Sequence, residues 1–460
     1  MPIVAGVDSS TQSVKVVLRD SDSGELIAST SRPHPDGTEI DPQYWWKALS
    51  DALEELSSHK ISAISIAGQQ HGMIALDKDG AVIRDALLWN DTRSDKAALD
   101  LNQEIPDIAL RTGSQLVASF TASKLRWLAD NEKENANKVA AIALPHDWLS
   151  WKLSGAKSLE TLFTDRSDAS GTGYFDSVKN EYCLDILATA IRNSKKVTLP
   201  KVVAPNQFGA TSIDSIPIAA GAGDNAGAAL GLGASLGDLV ISLGTSGTAF
   251  AVSKSSTHDS SGEVAGFADA TGNFLPLACT LNAAKIFNTV ARSLSLSFEE
   301  FSSLALSAKA GAEGLRMIPH FDGERTPNKP RAKGSFHGIT HSNFTKENIA
   351  RASIEGVIAG MIYAARAVER LGVSYSRIFL IGGAAKNSAV QQISADLFGR
   401  EIYIPAIGEY VADGAAKQAA WALSGMENPP NWSLGEVMTV SPKVRISGIV
   451  ENYFELISLS

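Results

Sequence analysis

Cysteine is nearly absent from this chain of 460 residues, which carries only Cys183 and Cys279. Two thiols cannot staple a disulfide scaffold or fill a cysteine-rich zinc site. They fit a reducing compartment, and a cytoplasmic location is expected. An excess of positive charge is also missing. Forty-one Lys+Arg against 50 Asp+Glu leave a formal charge of −9. A general nucleic-acid binder would be basic, so no nucleic-acid partner is expected. The opening Met1-Pro2-Ile3-Val4-Ala5-Gly6-Val7-Asp8 has no basic segment before an apolar run, so no signal peptide is expected. Low-complexity tracts and long Pro/Ser linkers are absent too. Only Ile216 to Gly237 is apolar enough to test as a membrane span. It holds Asp224, Asn225 and six glycines. A mid-span charge is expensive in lipid, whereas glycines suit tight turns and close backbone approach. The stretch therefore reads as soluble and functional, and no membrane partner is expected.

What remains is an ordinary globular composition, 44% hydrophobic and 20% charged, at a length suited to two or three domains. Ile3 to Val7 reads as a strand and Asp8 to Ser13 as a small polar turn. Val14 to Leu18 returns as a strand behind Lys15, and Asp20 to Gly24 turns into a third strand, Glu25 to Ser31. A helix follows from Pro42 to Ser57, capped by Asp41, with Trp45, Leu49, Leu53 and Leu56 on its core face. Ile61 to Ala67 is the next strand, ending in Gly68-Gln69-Gln70-His71-Gly72.

The order recurs later. Asp238 to Leu243 reads as a strand, Gly244-Thr245-Ser246-Gly247 as a turn, Thr248 to Ser253 as a strand, and Phe274 to Thr280 as a third. A helix from Lys346 to Leu371, capped by Thr345 and stopped by Gly372, is apolar nearly all round and belongs between layers. Arg377 to Ile381 is a strand running into Gly382-Gly383-Ala384-Ala385. This duplication of pattern, not of residue identity, predicts two related α/β domains, 1–237 and 238–460, facing each other across a cleft.

Turns rich in Gly, Ser and Thr aim several backbone N–H groups one way and make anion-binding concavities. Ordinary hairpins use the same residues, so one such turn says little. Two at matching places can hold one polyphosphate from both sides of a cleft. Ser10, Thr11, Ser13, Thr245 and Ser246 would add hydroxyls. Neither turn is a Walker A loop, and Gly221-Ala222-Gly223-Asp224-Asn225-Ala226-Gly227 places a carboxylate where a dinucleotide loop needs none. Asp8 is either an Asx-turn acceptor or a carboxylate that orients Mg²⁺. Asp224 can accept the proton of a hydroxyl attacking phosphorus; it can equally be a helix N-cap, and the two roles are compatible. His71 alone reads more readily as structural. Gly382 to Asn387 suits a flat ligand such as adenine, or a plain strand–helix connection.

Taken together these residues resemble the FGGY family of carbohydrate kinases, which share the actin/Hsp70/hexokinase (ribonuclease H-like) ATPase fold. Both family signatures are recognisable, Ser119 to Leu128 and Gly334 to Ile339 continuing to Ala352-Ser353-Ile354-Glu355. Gly68 to Gly72, Leu88 to Arg93, Gly223 to Ala226, Ser242 to Gly247 and Gly323 to Pro327 bring the resemblance closest to the branch acting on xylulose. The resemblance implies ATP and Mg²⁺. It assigns Asp224 as catalytic base and Asp8 as the acid near the phosphates, with both carboxylates available to the metal. Gln70, His71, Asp224 and Asn225 fall to the sugar. Ser10, Thr11, Gln12, Lys15, Gly244, Thr245, Ser246, Gly382, Gly383 and Asn387 fall to the nucleotide.

Two positions depart from the family pattern. Gln70 stands where methionine is usual, and Ser10 where glycine is common. A Gln70 amide turned into the pocket would add a hydroxyl contact; a Gln70 facing it only with backbone would change little. The implied reaction is phosphoryl transfer from ATP to D-xylulose, with ribulose, gluconate and glycerol as other family acceptors. Homodimers are common in that family. The rival class is an ATP-driven binding protein of the actin or Hsp70 type, which Asp224 and the sugar segments argue against.

Overall fold

The first twenty residues fold as their alternation dictates. In this computed structural model, which describes residues 1–193, 196–406, 408–444 and 448–459, Ile3–Ser9 and Ser13–Asp20 form an antiparallel hairpin. Val14, Val16 and Leu18 bury one face of its second strand. Leu26–Pro33 extends the hairpin on one side and Ile61–Gly68 pairs in parallel on the other. The complete seven-stranded sheet runs Phe208–Thr211, Pro217–Ala219, Ile61–Gly68, Ile3–Ser9, Ser13–Asp20, Leu26–Pro33, with Ala222–Gly223 also pairing Ile61–Gly68. The helix Gln43–Glu55 covers it through Trp45, Ala48, Leu49 and Ala52. Asp41 Oδ1 accepts from the Gln43 N–H at 2.9 Å, and Pro42 already has helical angles.

A second seven-stranded sheet repeats this plan. Its order is Val264–Ala268, Phe274–Thr280, Gly247–Ala251, Asp238–Leu243, Arg377–Ile381, Ile402–Pro405, Val437–Val440. Asp238–Leu243 and Gly247–Ala251 form the hairpin, Phe274–Thr280 is the third antiparallel strand, and Arg377–Ile381 is the parallel partner. The helix Lys346–Arg370 is buried on nearly every face, with Thr345 accepting from the Asn348 N–H and Gly372 at φ +86° beyond its end. The expected two-domain α/β architecture is therefore present. Among the described residues no helix is long and apolar enough to cross a membrane.

One connection was not visible in the pattern. The helix Tyr410–Ser424 leaves the second sheet and packs against Ile3–Ser9 and the helix Asp224–Gly231 of the first half. The glycines explain the closeness: a Cβ on Gly414 would lie 1.8 Å from the Gly227 carbonyl oxygen. Gln418 then bonds Ser65 Oγ at 2.6 Å and both the N–H and the carbonyl of Gly221, at 2.9 and 2.8 Å. Arg19 pairs with Asp413 at 2.6 Å. Much of the glycine-rich stretch thus serves packing between the two halves.

Candidate active site

Parallel strands place their following loops at one end of a sheet, and a crevice forms where two such ends face each other. Here a cavity of about 850 Å³ opens between the halves. Asp8, Ser10, Lys15, Asp224 and Asn225 line it from the first half, and Ser242, Gly382, Gly383, Lys386 and Gln391 from the second. Glu409 and Tyr410, at the start of the crossing helix, complete one wall.

Asp8 sits opposite Lys15 in the first hairpin and is 4% exposed. Burial pushes its carboxyl up to about 7. The Ser10 hydroxyl, donating to Oδ1 at 2.5 Å, and the Lys15 charge oppose that rise, while Asp224 and Glu409 add to it. Ser10 lies outside the left-handed region, so a serine is no strain at this turn. Lys15 does not face the cavity as a free cation; its Nζ lies 2.5 Å from Glu409 Oε2.

Asp224 is the first residue of its helix, and Gly223 is the cap. The N-cap role considered for Asp224 therefore shifts by one position. Burial raises Asp224 to about 6, against bonds from the Asn225 N–H and Nδ2 to Oδ1 at 2.7 and 2.8 Å. A carboxylate titrating there accepts protons more readily than a free aspartate while still ionised at neutral pH.

Gln70 and His71 are buried behind Gly223 rather than on the cavity wall. A Cβ on Gly223 would lie 2.7 Å from Gln70 Cγ, so the pair abuts the peptide that leads into Asp224. The Gln70 amide nitrogen donates to the Ser167 carbonyl at 2.9 Å. His71 has φ +70°, and its Nδ1 bonds the Gly171 carbonyl at 2.6 Å. Burial pushes its ring down to about 3, so it is neutral, and it leans on Phe120 and Phe267.

The nucleotide candidates divide. Gly382 has φ +91°, and a Cβ there would meet the Leu243 carbonyl oxygen at 2.6 Å, so only glycine lets this turn close against the second hairpin. Asn387 is not brought to the cavity: its Oδ1 caps the following helix through the N–H groups of Ala389 and Val390 and accepts from Ser302. Thr11 accepts from Trp89 Nε1 at 2.9 Å, and Gln12 is exposed. Gly244, Thr245 and Ser246 form the second turn without lining the cavity, whereas Ser242 just before them does. Sequence reasoning missed Ser242, whose signal is its register, and Glu409 and Tyr410, which carry no local signal. The segment Ser119 to Leu128 is structural here. Lys124 is fully buried and bonds the carbonyls of Ala118 and Ser119.

Comparison with known proteins identifies the family. Sequence models for the N-terminal and C-terminal domains of the FGGY family of carbohydrate kinases match residues 3–231 and 239–423. The chain belongs to the FGGY family of carbohydrate kinases. It is a sugar kinase and uses ATP. A Streptomyces rubiginosus protein named xylulose kinase is 42% identical over 93% of this chain and 89% of its own. The crystal structure of xylulose kinase from Bifidobacterium adolescentis is 42% identical, with a TM-score of 0.91 over 99% of both chains. A gluconate kinase structure from Lactobacillus acidophilus is 25% identical, with a TM-score of 0.86 over 100% of this chain and 96% of its own.

Proposed function

We propose that this kinase transfers the γ-phosphoryl group of ATP to the terminal hydroxyl of D-xylulose, forming D-xylulose 5-phosphate. Residues 1–237 present the sugar side and 238–460 the nucleotide side. The observation that carries the reading is the pair of carboxylates, Asp8 and Asp224, lining one cavity opposite the Gly382-Gly383 turn. The xylulose kinase relatives support the choice of sugar.

Phosphoryl transfer requires alignment and charge neutralisation more than covalent chemistry. Asp224 takes the proton of the attacking hydroxyl. Its raised pKa, about 6, makes it a better base than a free aspartate. Gln70 and His71 back the sugar side from behind the Gly223–Asp224 peptide, His71 as a neutral ring. The turn that begins at Ser10 and the Gly382-Gly383 turn offer N–H groups to the phosphates, with the Gly244 to Gly247 turn just outside the cavity wall. Closure over the substrates excludes water that would otherwise hydrolyse ATP.

The donors in the cavity suit Mg²⁺. Asp224 raises the cost of ionising Asp8 there, the Lys15 ammonium is engaged by Glu409, and hard oxygen ligands are what that ion prefers. Asp8 and Asp224 would hold it, directly or through water, and it would neutralise phosphate charge when bound.

The gluconate kinase likeness favours a second reading, in which the acceptor is another sugar acid or polyol, because overall shape is shared between the two activities. An ADP-release assay with D-xylulose, D-ribulose, L-ribulose, D-gluconate, glycerol and no acceptor separates them. Preference for D-xylulose is expected. Preference for another acceptor would move the error to the sugar side, and turnover indifferent to every acceptor would sink both readings.

A further inference from the structure

One ionic cluster plays no part in the chemistry proposed above. His146, Asp147 and Asp168 have no exposed surface. His146 Nδ1 lies 2.5 Å from Asp168 Oδ2 and 3.2 Å from Asp147 Oδ1. The shorter separation is that of a charge-assisted hydrogen bond, whereas two donors on one tetrahedral metal ion sit roughly 3.3 Å apart. Burial disfavours charge on the His146 ring, but Asp147 and Asp168 outweigh it and push the ring up to about 10. An imidazolium sealed in the interior is expensive unless paired charge and hydrogen bonds offset it, as Asp147 and Asp168 do here.

What it fixes is the short helix Arg166–Ser170. Asp165 starts that helix, accepting from the N–H groups of Ser167 and Asp168 at 2.7 and 2.9 Å. Three bonds then run from it to the sugar side. The Ser167 carbonyl accepts from Gln70 Nε2 at 2.9 Å, Ser167 Oγ accepts from the Gly223 N–H at 3.1 Å, and the Gly171 carbonyl meets His71 Nδ1 at 2.6 Å. His146 itself is wedged between the two loops concerned, its ring against one and its Cβ and backbone against the other. A Cβ on Gly221 would lie 2.2 Å from His146 Cδ2, and one on Gly68 would lie 3.2 Å from His146 Cβ. Gly68 leads into Gln70 and His71; Gly221 leads into Asp224. The helix also ties to the edge of the second sheet, Arg166 donating to the Asn273 carbonyl at 2.6 Å and Ser170 Oγ accepting from the Ala268 N–H at 3.0 Å, but none of its bonds reaches the Gly382 turn.

We infer that His146 is a positioning residue for the acceptor: by gripping Asp168 it holds the 166–171 segment where Ser167 and Gly171 fix Gln70, His71 and the Gly223–Asp224 peptide. The inference rests on the reading of those residues as the sugar side. It places the effect of His146 on the acceptor and not on ATP.

The test is steady-state kinetics on the full-length enzyme, with the acceptor that wild type prefers in the panel, varied against ATP, and thermal melts to establish folding. His146→Ala should raise the KM for the acceptor by about tenfold or more, because small misplacements near reacting groups are costly. The KM for ATP should stay unchanged. His146→Asn, which keeps a donor near the Nδ1 position, should recover most of the loss. Ser167→Ala removes one downstream acceptor without touching the ion cluster and should raise the acceptor KM in the same sense. A folded His146→Ala enzyme with unaltered acceptor KM, or one in which both KM values rise together, overturns the inference. If His146→Ala does not fold, Ser167→Ala decides, and an unchanged acceptor KM there overturns it. Failure of the underlying reading looks different: wild type itself would show no acceptor-dependent turnover, which removes the inference with it.

Discussion

The two hairpins share a frame and divide the chemistry. In the first, the second-last pair before the turn is Asp8 opposite Lys15; in the second, the corresponding pair is Ser242 opposite Thr248. A buried carboxylate and an ammonium in one hairpin thus correspond to two hydroxyls in the other, of which Ser242 lines the cavity. The first turn has its own side-chain bond, Ser10 to Asp8. The second is set by backbone, with the Leu243 carbonyl pressed against Gly382 and the Gly244 carbonyl accepting from the Ala284 N–H. Backbone suffices to cradle phosphates. Ionisable side chains are needed where a proton or a cation must be handled, and both Asp8 and Asp224 belong to the first half.

The largest expected effect isolates that division. Asp224→Ala should lower kcat by about 10²- to 10⁴-fold, the usual range for a general base, while calorimetry still detects nucleotide binding. Near-normal kcat would break the assignment. Next, Asp8→Asn should raise the Mg²⁺ concentration giving half-maximal rate by about 10- to 100-fold. Ser242→Ala, at the matching place in the other hairpin, should leave it unchanged, and equal shifts in the two variants would erase the contrast.

Asp8 also predicts a pH effect on the ligand-free protein. Its carboxyl rises from 3.8 to about 7 on folding, chiefly through burial. Below pH 3.8 it is protonated in both states and costs nothing. As pH climbs towards 7 the folded state holds its proton longer than the unfolded one, so stability falls. Asp8→Asn should therefore stabilise the protein by about 1–3 kcal/mol at pH 8 and by almost nothing at about pH 3, as read by denaturant unfolding. The smallest effect belongs to the exposed Lys15–Glu409 pair. Glu409→Gln frees Lys15 for phosphate and should lower the KM for ATP by up to about fivefold, the worth of a surface ion pair, with no change in the acceptor KM.

The sequence makes some of this legible and hides the rest for physical reasons. Asp8 and Asp224 stand out because each follows a short strand and precedes a polar or glycine-rich turn, a local pattern. Asn387 also looked local, as part of a ligand-facing glycine turn, but its oxygen is used as a helix cap, which competes for the same residue type. Glu409 and Tyr410 reach the cavity only because the helix after them crosses to the first half, held by Gly414 against Gly227. His146 and Asp168 are far apart in sequence, and nothing in Pro145-His146-Asp147 marks more than a helix start. Their meeting is a product of tertiary packing, as is the direction of the Gln70 amide, towards Ser167.

Phosphorus NMR on wild-type enzyme with Mg-ATP and D-xylulose tests the central claim most directly, because it follows the phosphoryl group itself. The account predicts that the γ-phosphate signal is replaced by one phosphate-monoester signal, from D-xylulose 5-phosphate, with no build-up of inorganic phosphate, and that the ATP signals persist when the sugar is omitted. Steady release of inorganic phosphate, at the same rate with or without sugar, would contradict it.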